Sequence, residues 1–158
     1  MLSRILSVAA ITLCVSCTET TSEFDADFKL NKGTDGTCVP FAGCIGDQGE
    51  YFTGRALGWD KGPLSVRSST GTLCTGDWIV RPASGSGRAS IVCDDGTKGT
   101  AEFTYQHPET GTAVGEGQMS DGRSLKVWSG RNIQQFLAAT SGTADSKLSC
   151  GGVMVPLT

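Results

Sequence analysis

Between residues 50 and 130 the chain runs in short stretches where apolar and polar residues alternate or β-branched residues cluster, and Gly, Asp and Pro break each stretch. A period of two sends successive side chains to opposite faces, the pattern of a strand with one buried face. Seven strands are predicted, over 51–59, 64–68, 72–81, 88–94, 100–106, 113–119 and 124–128. In the fifth, Ala101, Phe103 and Tyr105 share one face while Glu102, Thr104 and Gln106 share the other. That division suits a half-buried antiparallel strand. Turns are predicted at 60–63, 69–71, 82–87, 95–96, 107–111 and 121–122. Asp95-Gly96 and Asp121-Gly122 fit type I′ turns, whose two central residues both take positive φ.

Consecutive antiparallel strands predict a mainly β fold, a meander that curls into a small barrel or sandwich. Gly54, Gly58, Gly115 and Gly117 fall within strands, where they permit tight bends or bulges. Gly115-Glu116-Gly117 is not a nucleotide loop, because no strand-turn-helix unit surrounds it. Beyond the strands the period changes. Over 129–140, Ile133, Phe136 and Leu137 stand at i, i+3 and i+4, and Ser129 or Asn132 is placed to cap. One short helix is therefore predicted, packed on the β structure or closing one end of it, and 152–157 reads as a last strand or packed tail. Leu73-Cys74-Thr75-Gly76, Val92-Cys93-Asp94-Asp95-Gly96 and Met119-Ser120-Asp121-Gly122 echo one another, each placing a turn just beyond an apolar strand end. Duplication of a hairpin and convergent turn chemistry explain that echo equally well.

The front of the chain differs. One Arg4 precedes an apolar run from Ile5 to Val15, which ends in the small residue Ser16. This is the layout of a signal peptide over 1–16, too short to span a bilayer comfortably. Its end, Cys14-Val15-Ser16-Cys17, resembles the signal box of bacterial lipoproteins, with Cys14 where such boxes usually carry Leu. The resemblance implies cleavage before Cys17, a lipid on Cys17 and membrane anchoring. With Thr18 rather than Asp next, it also implies sorting to the outer membrane. Ordinary secretion through a cut near Ser16 is the alternative. Residues 54–130 likewise resemble the Gly-rich β modules of small bacterial envelope lipoproteins, a likeness that bears on fold and location only. Residues 17–37 are polar and acidic, with Glu19, Glu23, Asp25, Asp27 and Asp35 against Lys29 and Lys32, and Phe24, Phe28 and Leu30 as their sizeable apolar groups. They read as a lipidated N-terminus and tether, with a docking peptide as the less economical reading. A single disulfide-stabilised domain is expected over 38–158.

Composition narrows function mostly by exclusion. The 158 residues include 22 Gly and only 7% aromatics, and 13 Lys+Arg stand against 16 Asp+Glu for a net charge of −3. No basic field is available to hold a nucleic acid. Seven Cys lie at 14, 17, 38, 44, 74, 93 and 150, a spread that in an exported domain favours disulfides over metal ligation. Cys74 and Cys93 are expected to pair across neighbouring strands. Cys38 is expected to pair locally with Cys44, or one of these two with Cys150. The one histidine, His107, precedes Pro108 in a turn, and no Gly-x-Ser-x-Gly occurs, residues 83–87 being the nearest stretch. Asp94, Asp95 and Asp121 are explained by turn formation. Trp59, Trp78 and Trp128 are read as core before ligand surface. No cofactor or metal is expected.

The favoured function is a non-catalytic envelope lipoprotein, a binding or structural module whose partner is an envelope protein or glycan. The alternative is an inhibitor or immunity-type module that blocks an extracellular hydrolase such as lysozyme through the 82–87 or 107–111 loop. A small-ligand barrel is disfavoured, since so many small residues suit a filled interior.

Overall fold

Strands that follow one another in the chain also lie beside one another in space, because each reverses through a short connection. In the computed structural model of the protein, the described residues are 38–58, 61–79, 86–107, 112–130, 132–142 and 147–157, without the side chains of 105–107. Eight strands form a closed antiparallel barrel: β1 (Cys38–Ile45), β2 (Glu50–Leu57), β3 (Lys61–Ser68), β4 (Leu73–Ile79), β5 (Arg88–Cys93), β6 (Lys98–His107), β7 (Thr112–Met119) and β8 (Ser124–Ser129). Closure comes from β1 against β8, from Phe41↔Ser129 to Ile45↔Leu125. A short helix α1 (Ile133–Ser141) and a two-stranded ribbon of β9 (Ser149–Cys150) and β10 (Val153–Met154) follow.

The first strand corrects the sequence-based expectation. A local loop closed by Cys38 and Cys44 is one of the two arrangements expected for these residues, yet 38–44 are extended and paired with β2 along their whole length. Pro40 is tolerated there because it stands one residue beyond the β8 ladder, which begins at Phe41, so its missing N–H breaks no bond of that ladder. Its carbonyl accepts a hydrogen bond from the Gly130 N–H at 3.0 Å.

Inside the barrel, alternate residues of every strand meet. Phe41 and Phe52 stack with ring centroids 6.0 Å apart, and Leu64, Val66, Trp78, Ile91, Phe103, Met119, Leu125 and Val127 fill the rest. Each such side chain contributes about 1.5–3 kcal/mol through burial. The interior is a packed core. Trp78 donates its indole N–H to the Leu57 carbonyl at 2.9 Å, so its polar atom is satisfied while the ring stays buried. In β6, Ala101 and Phe103 point inward and Glu102 and Thr104 outward. A register shift then intervenes, since Phe103 pairs with Gly115 but Tyr105 with Val114. The Tyr105 side chain lies outside the described residues.

The tight turns differ from the expected type. In 93–97 the Gly96 N–H bonds the Cys93 carbonyl at 3.0 Å and the Cys93 N–H bonds the Thr97 carbonyl at 2.9 Å. Gly96 has φ 85°. This is a three-residue loop closed by a glycine bulge, in which one residue takes positive φ, and not the two-residue type I′ turn. The same bonds recur at 119–123 around Gly122 and at 68–72 around Gly71. The echo between 93–96 and 119–122 is thus one turn chemistry, which 68–72 also uses, whereas 73–76 is not a turn but part of β4.

A second apolar cluster lies outside the barrel. Ala42, Val114 and Trp128 on the outer faces of β1, β7 and β8 pack against Ile133, Leu148, Cys150 and Val155, with Phe136 and Leu137 at its edge. The helix therefore covers the barrel wall. It starts at Asn132, which makes no side-chain cap bond, and ends at Gly142, φ 72°, whose N–H bonds the Ala138 carbonyl at 3.1 Å. Ser129, the other candidate cap, belongs to β8.

Candidate functional site

Two disulfides organise the outside and inside of the barrel. Cys74 and Cys93 stand directly opposite each other on β4 and β5 and are joined within the interior core. Cys44 is joined to Cys150, across 106 residues. Of the two expected arrangements the structure has the one with Cys150; a local Cys38–Cys44 bond is excluded because the two lie six residues apart on one strand, about 20 Å at the usual rise. Cys38 belongs to neither disulfide and is buried, and the Arg55 guanidinium lies 3.9 Å from its sulfur.

The Cys44–Cys150 bond sits at the base of a groove of about 520 Å³ between the outer wall of the barrel and the C-terminal segment. β8 supplies Ser124, Lys126 and Trp128, three alternate residues on its outward face. The opposite wall is the run 147–151, which includes β9. Lys126 lies 5.7 Å from the Trp128 ring centroid and pairs with Glu116 at 3.1 Å, an exposed ion pair. Trp128 is only 7% exposed, so its ring is packing surface here. Lys147 stands exposed on the other wall, and Asp47 is the carboxylate of the lining. Two exposed lysines against one carboxylate favour an anionic group in the groove.

The turn carboxylates hold their own loops. Asp95 accepts from the Thr97 hydroxyl at 2.7 Å and from its N–H at 2.8 Å, and these bonds hold its carboxyl below the usual carboxylate range. Asp121 is lowered first by the Arg123 side chain at 2.8 Å and then by the Arg123 N–H at 3.1 Å. Arg123 also pairs with Glu50, which ties the β7–β8 turn to the start of β2. Among the described residues, no group of three or more His, Cys, Asp and Glu is placed to hold a metal ion.

Several expected positions fall elsewhere. Cys17, the leader, the tether and Trp59 lie outside the described residues, as does most of the 82–87 and 107–111 loops. His107 ends β6, and its side chain is outside the described residues. The strand ends that border both loops, Ile79 and Arg88 for one, His107 and Thr112 for the other, share the rim opposite the glycine-bulge turns. The groove lysines were not among the candidates. Lys126 and Lys147 are far apart in sequence, and the one signal that could have joined their neighbourhoods was the alternative partner for Cys150.

No protein-family model and no curated protein matches the chain. Among solved structures it is similar to a de novo designed fluorescence-activating β-barrel, with a TM-score of 0.46 and 19% identity over 60% of this chain and 90% of that one. It is also similar to a redesigned β-barrel, mFAP0, bound to DFHBI, with a TM-score of 0.45 and 16% identity over 60% of this chain and 95% of that one.

Proposed function

We propose that the protein is a non-catalytic lipoprotein of the bacterial cell envelope, anchored through Cys17 and acting as a binding or structural module. The observation that carries this reading is the pair of disulfides, one sealed in the barrel core and one clasping the C-terminal segment to its wall. Bonds of this kind belong to an oxidising compartment, where the leader over 1–16 would deliver the chain. The distribution of charge supports anchoring by lipid and not by the barrel itself. Asp77, Arg88, Lys98, Glu102, Glu116 and Lys126 are exposed on strands, while the interior is apolar. A barrel that spans a bilayer has the reverse arrangement, with an apolar band facing outward. A filled interior also supports recognition at the outer surface, by an envelope protein or glycan, over a ligand held inside.

Acyl chains on Cys17 would hold the barrel to the membrane, at about 0.8 kcal/mol for each buried CH₂. The test is intact-mass analysis of the membrane fraction. Loss of the leader plus acyl mass is expected, and Cys17→Ser should move the protein to the soluble fraction. A wild-type protein that is soluble and unmodified would end this reading. The inhibitor reading draws on one observation, that the strand ends bordering the 82–87 and 107–111 loops share a rim. Inhibition of a hydrolase by the purified barrel, lost when either loop is replaced, would favour it.

A further inference from the structure

The two disulfides stand in opposite surroundings. Cys74 and Cys93 are 2% and 6% exposed and belong to the apolar core enclosed by the barrel. Cys44 and Cys150 both line the groove beside the wall, and Cys44 is only half-buried. A thiol can therefore reach the second bond through the groove, whereas the first is reached only if the closed sheet opens. Charge acts in the same direction. The attacking species is a thiolate anion, and the groove carries Lys126 and Lys147 against the carboxylate of Asp47. Lys126 shares its charge with Glu116 in an exposed ion pair, which an incoming anion can displace. What the second bond holds is separable from the barrel. The ribbon of β9 and β10 forms a sheet of its own, fastened to the wall by this bond and by the packing of Leu148, Cys150 and Val155 with Ala42, Val114 and Trp128.

We propose that Cys44–Cys150 is a thiol–disulfide exchange site, a clasp that a dithiol donor opens through the groove. A donor thiolate attacks the sulfur of Cys44, the more exposed partner, and the S–S bond breaks with Cys150 leaving as a thiolate. The donor's second thiolate then attacks the mixed disulfide and releases Cys44. The donor ends as a disulfide and its two protons end on Cys44 and Cys150, so two electrons have passed to the protein. Loss of the bond restores freedom to a chain that was closed across 106 residues, and the segment then depends on its packing. Opening uncovers Ala42, Val114 and Trp128 on the outer faces of β1, β7 and β8, while the eight strands keep their ladders and their interior bond. The exchange needs no lipid on Cys17, so it stands or falls apart from the anchoring.

Timed reduction of the protein as isolated, with dithiothreitol as the donor, followed by alkylation and peptide mapping, tests this. Cys44 and Cys150 are expected to become alkylated at least about tenfold faster than Cys74 and Cys93. At that stage hydrogen exchange should show lost protection in α1 and β9 with the barrel amides unchanged, and re-oxidation should restore it. Lys126→Glu with Lys147→Glu turns the groove against an incoming thiolate. At low salt it should slow reduction of Cys44–Cys150 at least about threefold and leave Cys74–Cys93 as it was. Both lysines are exposed, so the barrel amides serve as the control for folding. Simultaneous reduction of the two bonds would overturn the proposal, as would a rate indifferent to the groove charges. Reduction of Cys44–Cys150 that leaves α1 and β9 protected would also overturn it, by making the bond accessible but not a clasp.

Discussion

At Asp95 and Asp121 a single carboxylate replaces main-chain bonds that a three-residue loop leaves unmade. Each accepts from the N–H two residues on, and each is held below the ordinary carboxylate value of 3.8 by those bonds and by the Thr97 hydroxyl or Arg123 side chain. A carboxyl whose folded value is lowered contributes stability that is fully present above its unfolded value and is lost as pH falls through the folded one. Denaturant unfolding should therefore give a stability that is level from neutral pH to about 4 and declines below it. Asp121→Asn should lower stability at neutral pH and flatten the acid decline. A variant that keeps the wild-type acid slope would show that Asp121 plays no part. Both turns were legible as turns from Asp-Gly, but not as bulged loops. That distinction depends on which carbonyl of the opposite strand is within reach.

Strands need more than alternation if they are to curve into a barrel. At Gly117 on β7 a Cβ would collide with the Thr100 carbonyl of β6, because the two backbones approach too closely for any side chain. Gly117→Ala is expected to destabilise the fold by about 1–3 kcal/mol, the usual cost of forcing extra volume into a packed site. Gly71→Ala tests a different cause, since nothing lies within 4 Å of a Cβ there and only the positive φ of 98° resists it. Its expected cost is nearer 1 kcal/mol. Equal effects in urea unfolding would refute the close-approach account of Gly117. From the sequence, glycine within β7 indicated a bend, and the register with β6 supplies the reason. β1 was not legible as a strand, because Pro40, Gly43 and two cysteines hide its alternation, and its apolar Val39, Phe41 and Ile45 acquire meaning only beside β2 and β8.

Over the whole molecule, the eight-strand barrel is complete without its C-terminal segment, and Cys44–Cys150 is a clasp added to the outside. Cys74–Cys93 lies inside the closed sheet. In the chain-entropy account the first closes a loop worth about 4.7 kcal/mol and the second about 3 kcal/mol. Their locations make the structural consequences different. Cys44→Ala with Cys150→Ala should release hydrogen-exchange protection in α1 and β9 while the barrel amides stay protected. Cys74→Ala with Cys93→Ala should lower protection throughout β1–β8 together. Uniform loss in both variants would mean that barrel and clasp unfold as one unit.

The residue pattern by itself determined a β meander, the turns at 69–71, 95–96 and 121–122 but not the one expected at 60–63, whose residues 61–63 belong to β3, the short helix and the opposition of Cys74 to Cys93, because each depends on neighbours in the chain and on a period of two or 3.6. Barrel closure, the eighth strand, the partner of Cys44 and the lysine groove were decided by the tertiary structure. All four depend on contacts between the first strand and residues about 80 to 110 positions away, as in Ala42↔Trp128 and Cys44–Cys150. No local periodicity records such contacts, since they exist only once the sheet has curled far enough to bring β8 back to β1.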